Sequence, residues 1–597
     1  MANKYMSMRN LLFWLFEVHK AEELFHLERF QEYDRESIEM FLQSIKDFAD
    51  AELFPYFTAM DIDPVRYENG GVVAHPQLGN IIPKAAELGW FGPGFDYEYG
   101  GLQVPESIFL AGNHILEAAN NSAVGYLNLT TGSANLILSF GNEELKQTYI
   151  PNMVAGKWMG TMALTEPQAG SSLSFLTTSA KPTGQGYYQI SGQKIFISGG
   201  DHQHAENFIH LTLARIEGAP EGTKGISLFV VPKYRPAENG ALEPNDVITA
   251  GDFQKMGQRG YATTHLVYGE NEDCRGWLVG EPHQGLKYMF QMMNAARIDV
   301  GATAASTATA AYYASLQYAN ERSQGISLKP SGKKEGQTLI INHPDVKRML
   351  LLQKAITEGA MSLLFECARL DDLYREATDN KNGDYHMLLE LLTPIAKTYP
   401  AEAGQRAINT GLQVLGGYGY CMDFPLQQYY RDIRIMSIYE GTTGIQSLDL
   451  LGRKMVMKNG RAVDLLVMAI EETIHEALEY NTLIPYAKVL GDKMRLTDKV
   501  FRHLAAFAQK GNLEAFLADA TVFMEFAGTL VVAWQWLKMG IVSSRFLVEK
   551  QDDDFHQAKL HTMKFFYKYE VPKMEGLSQV MLNEEQLTTS DKVKDFF

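Results

Sequence analysis

The chain has 597 residues, a length that exceeds a single hydrophobic core and predicts three to four domains or subdomains. Hydrophobic residues make up 46% and charged residues 21%, which are ordinary proportions for a soluble globular protein. The formal net charge of −17 argues against nucleic acid as a main partner, because binding phosphates requires a basic surface.

Two apolar runs, residues 11–16 and 526–537, bear on membrane association. The first is too short for the hydrophobic region of a signal peptide and is followed by polar Glu17 and His19, which favours an amphipathic first helix. The second is about half as long as a bilayer span requires. The sequence therefore predicts no integral membrane segment.

Helical spacing governs the first part of the chain. From residue 36 to about 156, apolar residues recur every three or four positions. From about residue 158 to 278, short alternating runs are interrupted by Gly, Pro and Asn, which predicts an antiparallel β-domain.

Helices return after Gly285. Residues 288–322 contain almost no helix breakers and many small residues, which allow close packing in a bundle. A second helix is predicted to begin at Pro344, and a third to run from about 394 to 415. A polar break at 457–461 precedes more helical spacing. The predicted fold is α+β with four domains: an N-terminal α-helical domain (1–157), a middle antiparallel β-domain (158–280), a C-terminal four-helix bundle (281–456) and an extra helical domain (457–597).

The cysteines are few and widely separated. This spacing argues against a disulfide framework and against a cysteine-based metal site, so no metal centre is expected. A reduced, cytoplasmic location is the simplest prediction. The three residues are Cys274, Cys367 and Cys421.

Two motifs in the β region carry residues suited to binding a heterocyclic ring. Residues 162–172 (MALTEPQAGSS) run from a strand into a tight turn, where the hydroxyls of Thr165 and Ser171 could donate to an acceptor-rich ring. In residues 192–200 (GQKIFISGG), Phe196 and the hydroxyl two residues later point to one strand face and could pack on a ring. An ordinary turn and a core aromatic in a hairpin are the alternative interpretations.

Two further motifs lie in the C-terminal helical region. The glycine cluster in residues 413–420 (QVLGGYGY) either caps a helix or lets a phosphate or adenine lie against the backbone. In residues 438–446 (IYEGTTGIQ), Glu440 lies between apolar residues and a glycine. Desolvation there would raise the pKa of its carboxyl toward neutral pH, which suits a general base. A glutamate that caps the following helix is the alternative.

In this order and at this spacing, the four motifs closely resemble those of the acyl-CoA dehydrogenase family. Residues 98–101 (EYGG) and 141–146 (GNEELK) match as well, and the resemblance covers nearly the whole chain. The extra C-terminal helices are similar to a long bacterial branch that includes the 3-methylmercaptopropionyl-CoA dehydrogenases. The resemblance implies FAD as cofactor, an acyl-CoA thioester as substrate and an electron-transfer flavoprotein as electron acceptor.

The resemblance also implies roles for individual residues. Glu440 matches the base that removes the α-proton while the β-hydrogen leaves as hydride to flavin N5. A subset of the family places its base one residue before the arginine matched by Arg297, but here that residue is Ala296, which cannot act as a base. The implied flavin-binding residues are Met162, Leu164, Thr165, Ser171, Phe196, Ser198, Arg322, Gln324, Gln413, Gly416, Gly417 and Thr442. The implied substrate-binding residues are Ser171, Arg297 and Gly441.

An oligomer is implied as well. Arg297 and Arg322 lie at opposite ends of one predicted helix, about 37 Å apart, so they cannot easily serve one site. In the family, the position of Arg322 and the glycine cluster contact the ADP half of FAD across a subunit interface. We therefore expect a homo-oligomer, with a dimer favoured over a tetramer.

The sequence departs from the family pattern in ways that affect the expected pocket contacts. Relatives often carry Trp at Phe196, Thr at Ser198, Asp at Ser172, Gly at Gln168 and a polar residue at Gly444. The alternatives that remain are an acyl-CoA oxidase, which passes electrons to oxygen, and a DNA-associated non-catalytic offshoot of the same fold. The acidic net charge disfavours the second.

Overall fold

The computed structural model describes residues 5–237, 239–326, 336–377, 381–550 and 552–597, without the side chains of residues 291, 292, 591 and 592. The chain divides into two compact units, Arg35–Ala296 and the combination of Met1–Asp34 with Arg297–Phe597. The predicted first domain, residues 1–157, thus combines residues from both units. The boundaries at residues 157, 280 and 456 stay predictions.

Helices dominate both ends of the chain, and strands occupy its middle. The α-helices are α1 (Met8–Leu12), α2 (Arg35–Phe48), α3 (Phe57–Ile62), α4 (Leu78–Glu87), α5 (Glu106–Phe140), α6 (Glu143–Val154), α7 (Gly285–Glu321), α8 (Pro344–Glu376), α9 (Asn382–Leu415), α10 (Leu426–Ile433), α11 (Thr443–Asp449), α12 (Arg461–Ala477), α13 (Ile484–Gln509), α14 (Leu513–Leu517), α15 (Ala520–Lys550), α16 (Asp554–Tyr569) and α17 (Lys573–Met581). The strands are β1 (Arg66–Glu68), β2 (Gly71–Val73), β3 (Trp158–Ala163), β4 (Ser179–Pro182), β5 (Tyr188–Ser198), β6 (Asn207–Ile216), β7 (Ile226–Pro232), β8 (Tyr234–Pro236), β9 (Leu242–Pro244), β10 (Val247–Asp252), β11 (Thr263–Tyr268) and β12 (Arg275–Leu278).

The apolar run near the N terminus is helical, as predicted, but it lacks a polar face. α1 leads into a π-helical turn that ends at Val18, and most side chains of this turn are buried. The ring of Trp14 stacks on Phe365 at 6.2 Å, and the ring of Phe13 meets Phe555 edge-on at 5.3 Å. Segments distant in sequence therefore cover the face that the prediction left to solvent.

Within the described residues of Arg35–Ala296, the strands form one large sheet and two small hairpins. The large sheet has the order β10-β11-β5-β12-β7-β6-β3, and β4 pairs with both β5 and β6. Most neighbours are antiparallel, as predicted. β6 pairs in parallel with β3 and with β4, which the antiparallel prediction did not include. Parallel pairing requires long connections, and these strands are well separated along the chain.

Both faces of the large sheet are buried at β6. Ile209, Leu211 and Leu213 point into a core that includes residues of α5 and α6. Ala214 belongs to a second core, together with Phe229 of β7. β6 is therefore buried on both faces although its sequence alternates, because the polar side chains of His210 and Thr212 are buried on the face that they share with Ala214.

The three helices placed by the sequence in the C-terminal region are present in the predicted order, as α7, α8 and α9, but not with every predicted boundary. α8 begins at Pro344, as predicted, where the missing N–H of proline costs no helical hydrogen bond. α9 begins at Asn382, well before the predicted residue 394, and contains Pro394 and Pro400. α9 packs along α8, and this packing outweighs the tendency of proline to end a helix.

α15 is the apolar centre of the extra C-terminal helices. It contains the run 526–537 and extends beyond it, so among the described residues it is long and apolar enough to cross a membrane. Its most apolar window is 83% buried inside the protein, as in the core helix of a globular fold. A Cβ on Gly359 of α8 would lie 2.7 Å from Trp536 Nε1, and that nitrogen donates to Ala355 O at 2.9 Å. The glycine thus allows α8 and α15 to approach closely.

Candidate active site

Glu440 lies in a short segment of left-handed backbone just before α11. Its φ is +51°, and that of Gly441 is +88°. Glycine adopts this conformation at little cost, whereas a glutamate there is strained and must be held by its surroundings. The hydroxyl of Thr442 accepts a hydrogen bond from Ile445 N at 3.3 Å and caps α11. The alternative in which Glu440 caps this helix is therefore wrong.

Two buried side chains hold the Glu440–Gly441 backbone. Lys397 Nζ donates to Gly441 O at 2.8 Å, and Gln446 Nε2 donates to Glu440 O at 2.9 Å. Both Lys397 and Gln446 are fully buried. A Cβ on Gly441 would lie 2.6 Å from Gln446 Nε2, so a larger residue would displace this amide. We refer to Lys397 and Gln446 together as the backbone clamp.

The electrostatic surroundings of Glu440 suit a general base. Burial raises the pKa of its carboxyl, and the positive charges of Arg297 and Lys397 lower it, with a net upward shift. Burial in turn lowers the pKa of Lys397 to about 8. A carboxyl whose pKa is raised by burial accepts a proton more readily than an exposed one, which suits a general base.

The predicted substrate residues Arg297 and Gly441 lie in this same region. Arg297 Nη1 is 3.4 Å from Asp449 Oδ2, and both side chains are buried. Asp449 also accepts a hydrogen bond from Arg453 Nε at 2.6 Å. The structure thus places Arg297 beside the candidate base and balances its charge with Asp449, a residue that the sequence motifs did not indicate.

In the other unit, the turn after β3 is tied to β5. Ile195 N donates to Thr165 O at 2.9 Å, and Lys194 Nζ donates to Leu164 O at 2.9 Å. These bonds bring the two motifs of the β region together, so the groups that each motif offers to a ring lie at one junction. Met162, Leu164 and Thr165 are half-buried at this junction.

A buried ion pair supports the same junction and was missed by the sequence analysis. Glu166 Oε1 lies 2.8 Å from Lys194 Nζ, and both side chains are fully buried. Glu166 also accepts bonds from the backbone and hydroxyl groups of Thr177 and Thr178. Burial alone would raise the pKa of Glu166, but Lys194 and these donors lower it to about 2. The sequence signal for this pair was a lysine directly before the apolar run 195–197 of a predicted strand, because a lysine that is buried is rarely left unpaired.

Phe196 is exposed and is not a core aromatic of a hairpin. Its side chain is 56% exposed, and its φ of +57° lies in the left-handed region. The register between β5 and β11 shifts between Thr264 and Leu266, opposite this segment. This bulge interrupts the alternation on which the common face of Phe196 and Ser198 was predicted.

Three of the predicted flavin-binding hydroxyls are available for a ligand. Within the part of the chain that the structure describes, the hydroxyls of Thr165, Ser171 and Ser198 make no hydrogen bond. None of the three residues is fully buried. Together with the exposed ring of Phe196, they provide donors and an apolar surface on one unit. This arrangement suits a planar heterocycle with several acceptors.

The remaining predicted cofactor residues form an exposed surface on the unit that contains Glu440. Gly416 ends α9 with φ +59° and ψ −136°, a backbone conformation essentially limited to glycine. A Cβ on Gly416 or Gly417 would meet nothing within 4 Å, so a ligand can approach the backbone. The rings of Tyr318 and Tyr418 lie 6.4 Å apart and link the end of α7 to this turn. The exposed residues at these two places are Arg322, Gln324, Gln413, Gly416 and Gly417.

Comparison with known families identifies the domains of the chain. The models described as acyl-CoA dehydrogenase N-terminal, middle and C-terminal domains match residues 35–157, 161–270 and 283–455. A further model, described as acetyl-CoA dehydrogenase C-terminal like, matches residues 466–590. The 3-methylmercaptopropionyl-CoA dehydrogenase of Ruegeria pomeroyi is 33% identical over 94% of each chain. The chain belongs to the acyl-CoA dehydrogenase family.

Other relatives are similar over nearly the full length. A broad-specificity linear acyl-CoA dehydrogenase of Mycobacterium tuberculosis is 31% identical over 97% of this chain and 98% of its own. The structure of a Bacillus anthracis acyl-CoA dehydrogenase with FAD has a TM-score of 0.73 at 21% identity, covering 95% of this chain and 91% of that one, which confirms the fold. This acyl-CoA dehydrogenase is thus an oxidoreductase of an FAD-binding family. Its available hydroxyls, exposed aromatic ring and open glycine turn fit that cofactor.

Thr442 allows the capping and cofactor roles to be separated. We expect Thr442→Ala to lower the free energy of unfolding by about 1 kcal/mol, because the cap of α11 is lost. Thr442→Ser keeps a hydroxyl and should retain most of the stability. Urea unfolding measures the cap, and the ratio of flavin to protein absorbance measures cofactor binding. Equal stability of the alanine and serine variants would show that the cap contributes nothing.

Proposed function

We propose that this enzyme removes the α-proton of an acyl-CoA thioester with Glu440 and produces the trans-2-enoyl-CoA. Bound FAD supplies the acceptor, flavin N5, for the hydride that leaves the β carbon. The proton goes to the Glu440 carboxylate, and both electrons of the β C–H bond leave with the hydride. The observation that carries this proposal is the strained, clamped Glu440, with its raised pKa and two cations beside it.

The thioester carbonyl needs hydrogen-bond donors, because negative charge develops on its oxygen as the α-proton leaves. Within the described part of the chain, the backbone N–H of Glu440 donates no hydrogen bond and is available for this oxygen. The backbone clamp fixes the direction of the adjacent Gly441 peptide. Arg297 and Gly441 would then contact the substrate beside the base, as the family resemblance implies.

The substrate is proposed to be either a 3-methylmercaptopropionyl thioester or a fatty acyl thioester. The relative from Ruegeria pomeroyi is named for the first of these, and the relative from Mycobacterium tuberculosis for linear acyl chains. The electrons are proposed to pass to an electron-transfer flavoprotein. An oxidase that uses oxygen is the alternative, and peroxide release during turnover would identify it.

The enzyme is proposed to be a cytoplasmic homodimer. The surface near the open glycine turn supports the dimer, since Tyr418 is 48%, Met422 58% and Tyr420 95% exposed. Such exposed apolar groups are typical of interaction surfaces. All three cysteines are free, which agrees with a reducing compartment. A solution mass equal to a tetramer, or to a monomer, would contradict the dimer.

Anaerobic titration with acyl-CoA thioesters of graded length tests the reaction and the substrate together. The series includes the 3-methylthiopropionyl ester. We expect at least one of these thioesters to bleach the flavin absorption band of the purified protein. The ranking of bleaching rates identifies the acyl chain. If bound flavin is bleached by none of them, the proposed dehydrogenation is wrong.

A further inference from the structure

Lys397 is a buried amine with no role in the proton transfer described above. It lies on α9, and its side chain has no exposed surface. Burying an ammonium is costly unless its charge and its donors are satisfied. A lysine in this position therefore requires a partner whose interactions offset the free-energy cost of removing the amine from water.

The geometry shows what Lys397 contacts. Its Nζ donates to Gly441 O at 2.8 Å, one peptide unit after the candidate base. The charges that face the amine are Glu440 and Glu402, which attract it, and Arg297, which repels it. Glu402, from the same helix, also accepts a hydrogen bond from the hydroxyl of Thr443.

The other half of the backbone clamp differs in one respect. Gln446 holds the preceding carbonyl, Glu440 O, with a neutral amide. Lys397 alone of the two brings a positive charge toward the Glu440 carboxyl. The two clamp residues therefore allow position and charge to be tested separately.

We propose that Lys397 is a positioning residue for the base, which holds the Gly441 carbonyl so that Glu440 keeps its left-handed backbone and places a positive charge beside the Glu440 carboxyl. This inference rests on the proposed function of Glu440. Lys397 touches neither substrate nor cofactor in this scheme. It acts through the backbone and the charge of the residue that does.

The pH dependence follows from the groups that face Glu440. These are Arg297 from α7 and Lys397 from α9, and Arg297 is itself faced by Asp449, Arg453 and Glu390. Removing the charge of Lys397 leaves Arg297 as the remaining cation of the pair that lowers the pKa of the carboxyl. That pKa then rises, and the base is ionised only at higher pH.

The test measures the rate of anaerobic flavin bleaching by a saturating thioester as a function of pH. Lys397→Met removes both donor and charge, Lys397→Gln keeps an amide donor, and Lys397→Arg keeps the charge. Gln446→Met removes the uncharged half of the clamp. Lys488→Gln, at an exposed lysine of α13, is the matched control and should behave as the wild type.

We expect Lys397→Met to retain FAD and to bleach about tenfold more slowly at pH 7, with the rising limb of its pH profile displaced upward by about one unit. Lys397→Gln should show the same displacement. In Lys397→Arg and Gln446→Met, the rising limb should lie at the same pH as in the wild type. A wild-type rate and limb in Lys397→Met overturns the proposal. If that variant does not fold, a wild-type limb in Lys397→Gln overturns it.

Two further outcomes are also decisive. Loss of FAD in both neutral variants, with FAD retained in Lys397→Arg, would assign Lys397 a purely structural role and overturn the positioning proposal. Failure of every thioester to bleach the wild type would overturn the proposed function instead. The control variant distinguishes a general effect of lost lysine charge from the specific one.

Discussion

Glu440→Gln should retain FAD and lose nearly all flavin bleaching by thioesters. The amide keeps the size of the side chain but cannot take the α-proton, and a positioned base contributes roughly 100- to 10,000-fold to the rate. Stopped-flow absorbance under anaerobic conditions measures this rate. The ratio of flavin to protein absorbance shows whether the cofactor site is intact.

A matched variant separates the loss of a base from a general effect of removing a carboxylate. Glu471 lies exposed on α12, and Glu471→Gln should bleach at the wild-type rate. Glu440→Asp is informative as well, because it keeps a carboxylate but moves it back by one methylene, and it should be slowed less than the amide. Full activity in Glu440→Gln would exclude Glu440 as the base.

Lys194→Met should lower stability by about 3–5 kcal/mol, because it leaves the buried carboxylate of Glu166 without its cation. The junction between the turn after β3 and β5 depends on this pair, so FAD binding should weaken as well. The double variant Glu166→Gln with Lys194→Met removes the stranded charge and should recover much of the loss. Urea unfolding and flavin content measure the two effects.

An exposed ion pair in the same unit provides the control. Arg66 and Glu68 are 3.0 Å apart with side chains about half exposed, and Arg66→Met should leave the unfolding transition unchanged. Equal effects of Lys194→Met and Arg66→Met would show that the buried pair does not stabilise the junction. A double variant less stable than either single variant would show that Glu166 and Lys194 do not act as a pair.

The Glu166–Lys194 pair also makes the free energy of unfolding depend on pH, and the pKa shift fixes the sign of this dependence. The pKa of Glu166 is lowered to about 2, because Lys194 and the threonine donors favour the charged form more than burial disfavours it. A carboxyl whose pKa falls on folding stabilises the protein above its unfolded pKa of about 4.3. This contribution is lost as the pH falls through about 2. In the double variant, that part of the acid dependence should be absent.

The sequence by itself determined the elements and the chemistry of the candidate base. Periodicity predicted helices at both ends and strands between them, and Pro344 was correctly assigned to the start of α8. Local patterns suffice here, because spacing and turn residues act within a few positions of the chain. The motif around Glu440 likewise indicated a desolvated carboxylate, since its apolar and glycine neighbours are adjacent in sequence.

Only the tertiary structure decided which distant residues meet. Lys397 lies in an apolar stretch of α9, and nothing in its local pattern predicts that its amine reaches Gly441 O. Glu166 and Lys194 belong to separate motifs, and the sequence does not show that they pair. The sequence predicts an amphipathic helix after Leu11, but most side chains of this segment are buried in the structure. Local spacing fixes where a helix or strand forms, but long-range packing determines which side chains are buried, and burial is what gives a charge its partner and its function.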